Sequence, residues 1–264
     1  MRLTTLGDLL LDVIVRLDAP LVPGDDRSAK TRAVAGGQAA NVAAWACALG
    51  ADARFVGRRG DDTAGELVDR ELRARGVDVV GPVAGRTGVV VSIATDGDRT
   101  MASDRGSAPD LEPADLDAAW FDCDVLHLSG YSLLCEPIAS AAAEAARAAR
   151  VHGATVAVDV STWTLLDDAF RTRLRVLAPE LVFATERERD AVGGLDTRWV
   201  LKRGADGLEV DGRSYPAAAT AVIDTTGAGD ALAAGFLIGG PELGLEAAAR
   251  CCAQMGAMPQ GAMR

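Results

Sequence analysis

The chain has 264 residues, 49% of them hydrophobic, with a formal net charge of −11 and a pI near 4.7. That length can bury one sizeable core plus an embellishment. The acidic balance, with no Lys/Arg run of five or more, argues against a nucleic-acid backbone as partner. The odd set Cys47, Cys123, Cys135, Cys251 and Cys252 has no C-x-x-C pair, and His127 and His152 add no zinc pattern, so the cysteines read as reduced fillers of a cytoplasmic protein.

Met1-Arg2 leads directly into an expected strand over Leu3–Gly7, which reads as the absence of a signal peptide. Asp12–Leu17 and Arg27–Ala35 are extended segments joined through Pro20, Pro23 and Gly24. Ala39–Leu49 has helical spacing and stops at Gly50. Arg54–Val56 is strand-like, and a Thr63-x-x-Glu66 capping box opens a helix that closes at Gly76. Thr87–Ala94 and Arg99–Ser103 flank the hairpin signal Asp96-Gly97-Asp98. Val125–Leu128 is a strand, and Pro137 suits position N1 of a helix reaching Arg150. That helix carries Glu144 and Arg147 and is too short to cross a bilayer, so no membrane partner is expected. Strands over Val156–Val160, Leu181–Ala184 and Trp199–Lys202 follow, with a helix near Asp168–Leu177. The apolar run Ala217–Ile223 reads as a buried strand, and Ala231, Leu232, Ala234, Gly235, Leu237 and Ile238 as a helix.

This alternation predicts α/β architecture in a single domain over 1–264: a doubly wound, mostly parallel sheet with helices on both faces. The segments at about 12–35 and 87–104 lack intervening helices and predict a small β-sheet lid. Such a lid would close over a substrate and exclude water, or it is an edge decoration. Its exposed strands offer an edge for a homodimer.

Asp224-Thr225-Thr226-Gly227-Ala228-Gly229-Asp230 carries the most chemistry. It reads as strand, glycine turn and helix N-terminus, where unpaired N–H groups and the helix dipole favour an anion. Gly227 and Gly229 let backbone approach a phosphate. Asp230 then sets a carboxylate among those donors, where its simplest use is as general base to an attacking hydroxyl. An ordinary strand-to-helix turn with a first-turn Asp has the same local pattern.

A second motif, Gly36-Gly37-Gln38-Ala39-Ala40-Asn41, lies far upstream. Between the two, in order, come Gly57 to Asp61, Thr185-Glu186-Arg187-Glu188 and Lys202-Arg203-Gly204-Ala205-Asp206-Gly207, with Gly7-Asp8 and Asp12 ahead of them all. Together these residues resemble the ribokinase-like (PfkB) family of carbohydrate and nucleoside kinases, over nearly the whole chain. The resemblance implies transfer of a phosphoryl group from ATP to an alcohol of a sugar or nucleoside. It makes Asp230 the base and the backbone of Gly227, Ala228 and Gly229 the anion hole. Asp12, Gly36, Gly37, Gln38 and Asn41 would hold the acceptor; Arg105, after the lid hairpin, reads either as a further contact to substrate oxygens or as a surface arginine. Thr185, Lys202, Gly204, Thr226 and Gly256 would join the anion hole in binding ATP, with adenine against the helix from Glu242 and the turn Gly256-Ala257-Met258-Pro259. Glu188 would organise Mg2+ through water, although Thr185-x-x-Glu188 is equally a capping box. Asp224, Thr226 and the Gly256 loop would hold a monovalent cation such as K+.

Several positions depart from the family pattern. Thr185 replaces the usual Asn, Leu10 stands where a ribose pocket has a polar residue, and the stretch from Glu188 to Lys202 has room only for a clipped helix. A sugar or sugar derivative is the expected acceptor. An adenosine- or pseudouridine-type nucleoside is the alternative within the class, and a non-catalytic sugar- or nucleotide-binding homologue the alternative outside it. There is no G-x-G-x-x-G after the first strand and no G-x-x-x-x-G-K-[ST], which sets aside dehydrogenases and P-loop enzymes.

Overall fold

A computed structural model of the chain describes residues 1–95 and 98–260. The first half contains β1 (Arg2–Leu6), β2 (Leu10–Leu17), β3 (Ala29–Gly36), α1 (Gln38–Ala48), β4 (Asp52–Val56), α2 (Thr63–Arg73), β5 (Asp78–Val80), β6 (Thr87–Thr95) and β7 (Asp98–Gly106). There follow β8 (Val125–Ser129), α3 (Ile138–Val151), β9 (Thr155–Asp159), α4 (Asp168–Leu177), β10 (Leu181–Thr185), α5 (Glu186–Val192), β11 (Arg198–Lys202), β12 (Leu208–Val210), β13 (Arg213–Tyr215), α6 (Ala228–Gly239) and α7 (Pro241–Cys252).

The main sheet has nine strands in the order β13-β12-β11-β10-β9-β8-β1-β4-β5, parallel from β11 to β5. Its strands are buried on both faces, as crossover helices on each side require. Alternation along them sorts side chains into two cores. Leu181 and Phe183 join the cluster under α1, α2, α6 and α7, while Val182 and Ala184 join the one under α3 and α4. Chain order reverses between β1 and β8, so a crevice opens beyond their carboxyl ends, where open α/β sheets bind ligands.

The lid is a separate four-stranded sheet, β3-β2-β6-β7. The pairs β2–β3 and β6–β7 are antiparallel, while β2–β6 is parallel. The hairpin signal at Asp96-Gly97-Asp98 falls mostly outside the described residues.

Three local expectations are corrected. Ala217–Ile223 is not a strand: the sheet edge is already taken by the antiparallel pair β12 and β13, and Val222 and Ile223 are 65% and 59% exposed. The cap of α2 is Asp62 rather than Thr63; its carboxylate accepts from the Gly65 N–H at 2.7 Å and from the Thr87 N–H and hydroxyl, pinning the lid's entry to the helix. Pro137 precedes α3 as its N-cap, after a cis peptide bond from Glu136.

Candidate active site

The crevice holds a cleft of about 460 Å³. Its floor comes from the ends of the parallel strands and their following turns: Asp8 after β1, Ser129 ending β8, Ser161 after β9 and Lys202 ending β11. The lid supplies Asp12, Val90, Met101, Ser103 and Arg105. The helix starts supply Gly37, Gln38 and Asn41 on one side and Thr226, Gly227, Gly229 and Asp230 on the other. Two motifs nearly two hundred residues apart in sequence thus meet in one cavity.

The phosphate side is built on a left-handed turn. Gly227 has φ +77, and a Cβ there would stand 2.5 Å from that of Ala257. Ala257 is itself fixed by the Trp45 indole N–H, which donates to its carbonyl at 2.8 Å. Only glycine fits. The N–H groups of Gly229 and Asp230 fall in the first turn of α6, where a helix has no internal carbonyl to offer them. Ala228, expected among the anion donors, gives its N–H to the Thr225 carbonyl at 3.2 Å and does not line the cleft.

Asp230 accepts a 2.7 Å hydrogen bond from the Asn41 amide nitrogen. Burial pushes its carboxyl up to about 7 against the opposing pull of that hydrogen bond; Asp159 and Asp12 add to the rise and Lys202 opposes it. A carboxyl poised near neutrality suits a base that must take a proton and later release it. Lys202 Nζ donates to both carboxylate oxygens of Asp159 at 2.8 Å. Burial works against its charge, but Asp159 leads a set of acids that leaves the ammonium above its ordinary pKa.

On the acceptor side, Gly36 makes room for the Asp12 carboxylate and Gly37 for the Asp8 backbone. A Cβ at Gly36 would collide with the Asp12 carboxyl carbon at 2.1 Å, and one at Gly37, where φ is +100, with the Asp8 carbonyl at 2.3 Å. Arg105 forms a bidentate pair with Asp8 at 2.6 and 2.9 Å, so the lid arginine is tied to the floor. Gln38 accepts through Oε1 from the Ser129 and Ser161 hydroxyls at 2.6 and 2.5 Å, which fixes its amide with the NH2 as the remaining donor.

The other predicted residues lie outside the cleft lining. Thr185 caps α5, accepting from the Glu188 N–H, while the Glu188 carboxylate accepts from the Thr185 N–H at 2.6 Å. Gly204 opens an exposed turn after β11. Asp224 accepts from the Thr226 N–H and hydroxyl and from the Gly256 N–H at 2.9 Å, joining the glycine turn to the C-terminal turn. Among the described residues no group of three or more His, Cys, Asp or Glu side chains is placed to hold a metal, and no helix is long and apolar enough to cross a membrane. A second groove, of about 610 Å³, runs between Ala218–Thr220 and the outer face of α7 at Glu246, Ala249, Arg250 and Ala253.

Sequence reasoning missed Ser129, Tyr131, Asp159 and Ser161 as site residues and gave Asp8 no role. The available signal was positional: polar residues at or just beyond the carboxyl ends of successive parallel strands converge on the crevice.

A crevice at the strand ends, a glycine turn at a helix start and a carboxyl beside it are the parts that a phosphotransferase with an alcohol acceptor requires. The family model for pfkB family carbohydrate kinases matches residues 2–258, and the chain belongs to that family. It is 32% identical to the ATP-dependent ribose-1-phosphate kinase of Halopiger xanaduensis, over 89% of this chain and 83% of the relative. It is 30% identical to an Escherichia coli fructokinase, covering 92% and 86% of the two chains. The fold superposes on adenosine kinase from Sinorhizobium meliloti with a TM-score of 0.87 at 26% identity, covering 98% and 96%. A putative ribokinase II from E. coli shares the ribokinase-like fold at TM-score 0.87 and 19% identity, covering 100% and 96%.

Proposed function

We propose that the protein transfers the γ-phosphate of ATP to a hydroxyl of a sugar or sugar derivative, with Asp230 as general base. The observation that supports this reading is the 2.7 Å hydrogen bond from the Asn41 amide nitrogen to Asp230, which joins the two motifs. Asp12, the Gln38 NH2 and Arg105 orient the acceptor, and Gly36 and Gly37 leave it room. Asp230 takes the proton as the hydroxyl oxygen bonds to the γ-phosphorus and the bond to ADP breaks. The N–H groups of Gly229 and Asp230 at the start of α6 meet the growing charge on the phosphoryl oxygens. Lys202 and Thr226 contact the phosphates, and the groove beside α7 takes the adenine.

Magnesium bound with ATP would neutralise phosphate charge. Its preference for oxygen donors and retained waters fits the carboxylate of Glu188 acting through water. The Asp224–Thr226–Gly256 junction is the proposed seat of a monovalent cation, tested by titrating turnover with K+. Pairing of two copies through lid edges is tested by light scattering.

A nucleoside acceptor is the second reading, favoured by the similarity to an adenosine kinase. Among the described residues Tyr131 is the single aromatic side chain lining the cleft, which supports the sugar instead. The deciding experiment measures ADP release with D-fructose, D-ribose, ribose 1-phosphate, sugar acids and adenosine, with Asp230→Asn alongside. Release that depends on a sugar and vanishes in the variant supports the proposal. No acceptor-dependent release from any of them moves the assignment to a binding protein.

A further inference from the structure

We propose that Asp159 is a positioning residue for phosphoryl transfer, fixing the Lys202 ammonium in front of the Gly227–Gly229 turn where its third donor meets the transferred phosphate. The inference rests on the kinase reading above. Its first support is compositional. Of 27 basic residues only Lys30 and Lys202 are lysines, and Lys30 is exposed on the lid. A chain that otherwise uses arginine keeps, at the cleft, the one cation that is a compact point charge with three rotatable donors.

The geometry assigns two of those donors. Lys202 reaches past β10, the strand between β9 and β11, to give 2.8 Å bonds to both oxygens of Asp159. Its Nζ also lies 3.7 Å from the point a Cβ on Gly229 would occupy, so the remaining donor faces the helix start. Asp159 is 1% exposed and the Lys202 side chain 14%. A buried ion pair costs desolvation that an apolar pair of the same volume avoids, so stability alone does not account for it.

Asp159 is held in turn. The Ser161 N–H donates to its Oδ1 at 3.0 Å, and Ser161 does so from φ +74, a left-handed conformation that a non-glycine residue adopts at a cost on the order of 1 kcal/mol. The Ser161 hydroxyl continues to Gln38 at 2.5 Å. One unbroken set of hydrogen bonds therefore runs from Lys202 at the phosphate turn, through Asp159 and Ser161, to the amide that faces the acceptor.

The test uses the two lysines directly. Wild-type protein labelled at lysine Cε and Nζ gives two side-chain resonances, and Lys202→Arg assigns them. Saturating MgATP should move the Lys202 resonance and leave Lys30 in place; an unmoved Lys202 resonance in protein that binds MgATP overturns the proposal. Because Asp159→Asn alone strands a buried ammonium and can unfold the chain, the neutral double variant Asp159→Asn/Lys202→Met is measured too. It should fold, bind MgATP about tenfold more weakly and turn over about a hundredfold more slowly, no worse than either single change. Wild-type turnover in the folded double variant would reduce the pair to a structural pin and overturn the proposal. A wild type whose Lys202 resonance moves with MgATP but which phosphorylates no acceptor would support the phosphate contact and overturn the kinase reading.

Discussion

The Asn41 amide nitrogen donates to the Asp230 carboxylate at 2.7 Å across 189 residues of chain. Each side chain sits near the first turn of its own helix, α1 or α6, and each helix follows a glycine in a left-handed conformation. The bond therefore measures whether the two halves of the cleft are in register. Asp230→Asn should leave MgATP binding, read by calorimetry, within a few-fold of wild type while phosphoryl transfer falls by roughly 10³ or more. Near-normal turnover would remove Asp230 from the role of base.

Asp230 should also set the pH dependence. Its folded-state carboxyl is raised to about 7, chiefly by burial, so the base limb of kcat/KM should rise to a plateau with an apparent pKa near 7. Stability runs the opposite way. A carboxyl raised on folding contributes stability that is complete below its unfolded pKa and lost as pH rises through the folded one. The ATP-free protein should therefore lose on the order of 4 kcal/mol between about pH 4 and pH 8, in urea melts, and Asp230→Asn should flatten that slope.

Asn41 lowers the Asp230 pKa through its hydrogen bond, while the Asn41 Oδ1 has no hydrogen-bond partner among the described residues. Asn41→Leu should shift the base limb upward, cutting activity most near pH 7 and least near pH 9. A uniform loss at every pH would show that Asn41 serves only to hold the acceptor.

The adjacent glycines should fail in different ways. At Gly36 the new Cβ meets the end of the Asp12 side chain, which can rotate aside, so Gly36→Ala should keep most of its Tm and raise the acceptor KM tenfold or more. At Gly37 the Cβ meets the Asp8 backbone carbonyl from a left-handed φ, so Gly37→Ala should cost about 2 kcal/mol or more of stability. Thermal melts alongside initial rates separate the two.

Arg105 and Asp8 join lid to floor through a pair whose side chains are 18% and 6% exposed. Arg105→Met leaves Asp8 buried without its cation, a loss of up to about 3 kcal/mol. The acceptor KM should rise with it, and the double change Arg105→Met/Asp8→Asn should recover stability without recovering the KM.

The longer parallel strands and their helices were legible in the sequence because buried strands and crossover helices impose strong, regular patterns; the three-residue edge strand β5 is too short to show one and was not read. The segment Ala217–Ile223 was not, since an apolar run has the same composition whether or not the sheet has an edge left for it; β12 and β13 had taken that edge. Thr63 and Asp62 are both good caps, and only the lid's Thr87, which also bonds Asp62, distinguishes them in space. In the site, Asp230, Asn41 and the glycines were readable because their motifs are contiguous. Asp159, Ser161 and Ser129 are single residues on separate strand ends, brought together by strand order and not by spacing along the chain.

The lid has one further property, visible in where its strands begin and end. The chain crosses between the two sheets at residues 7–9, 37, 81–86 and 107, and the strand ends there, Leu10, Gly36, Thr87 and Gly106, lie together at one end of the lid. Four covalent links along a single border make a swing about that border the motion the chain opposes least. Asp8 and Gly37 sit at that border, whereas Met101 lies six residues from the crossing at 107, toward the lid's far end. In the proposed kinase a bulkier acceptor would therefore be accommodated by changing that far end of the lid, with the Gly227–Asp230 turn, which is no part of the lid, left untouched.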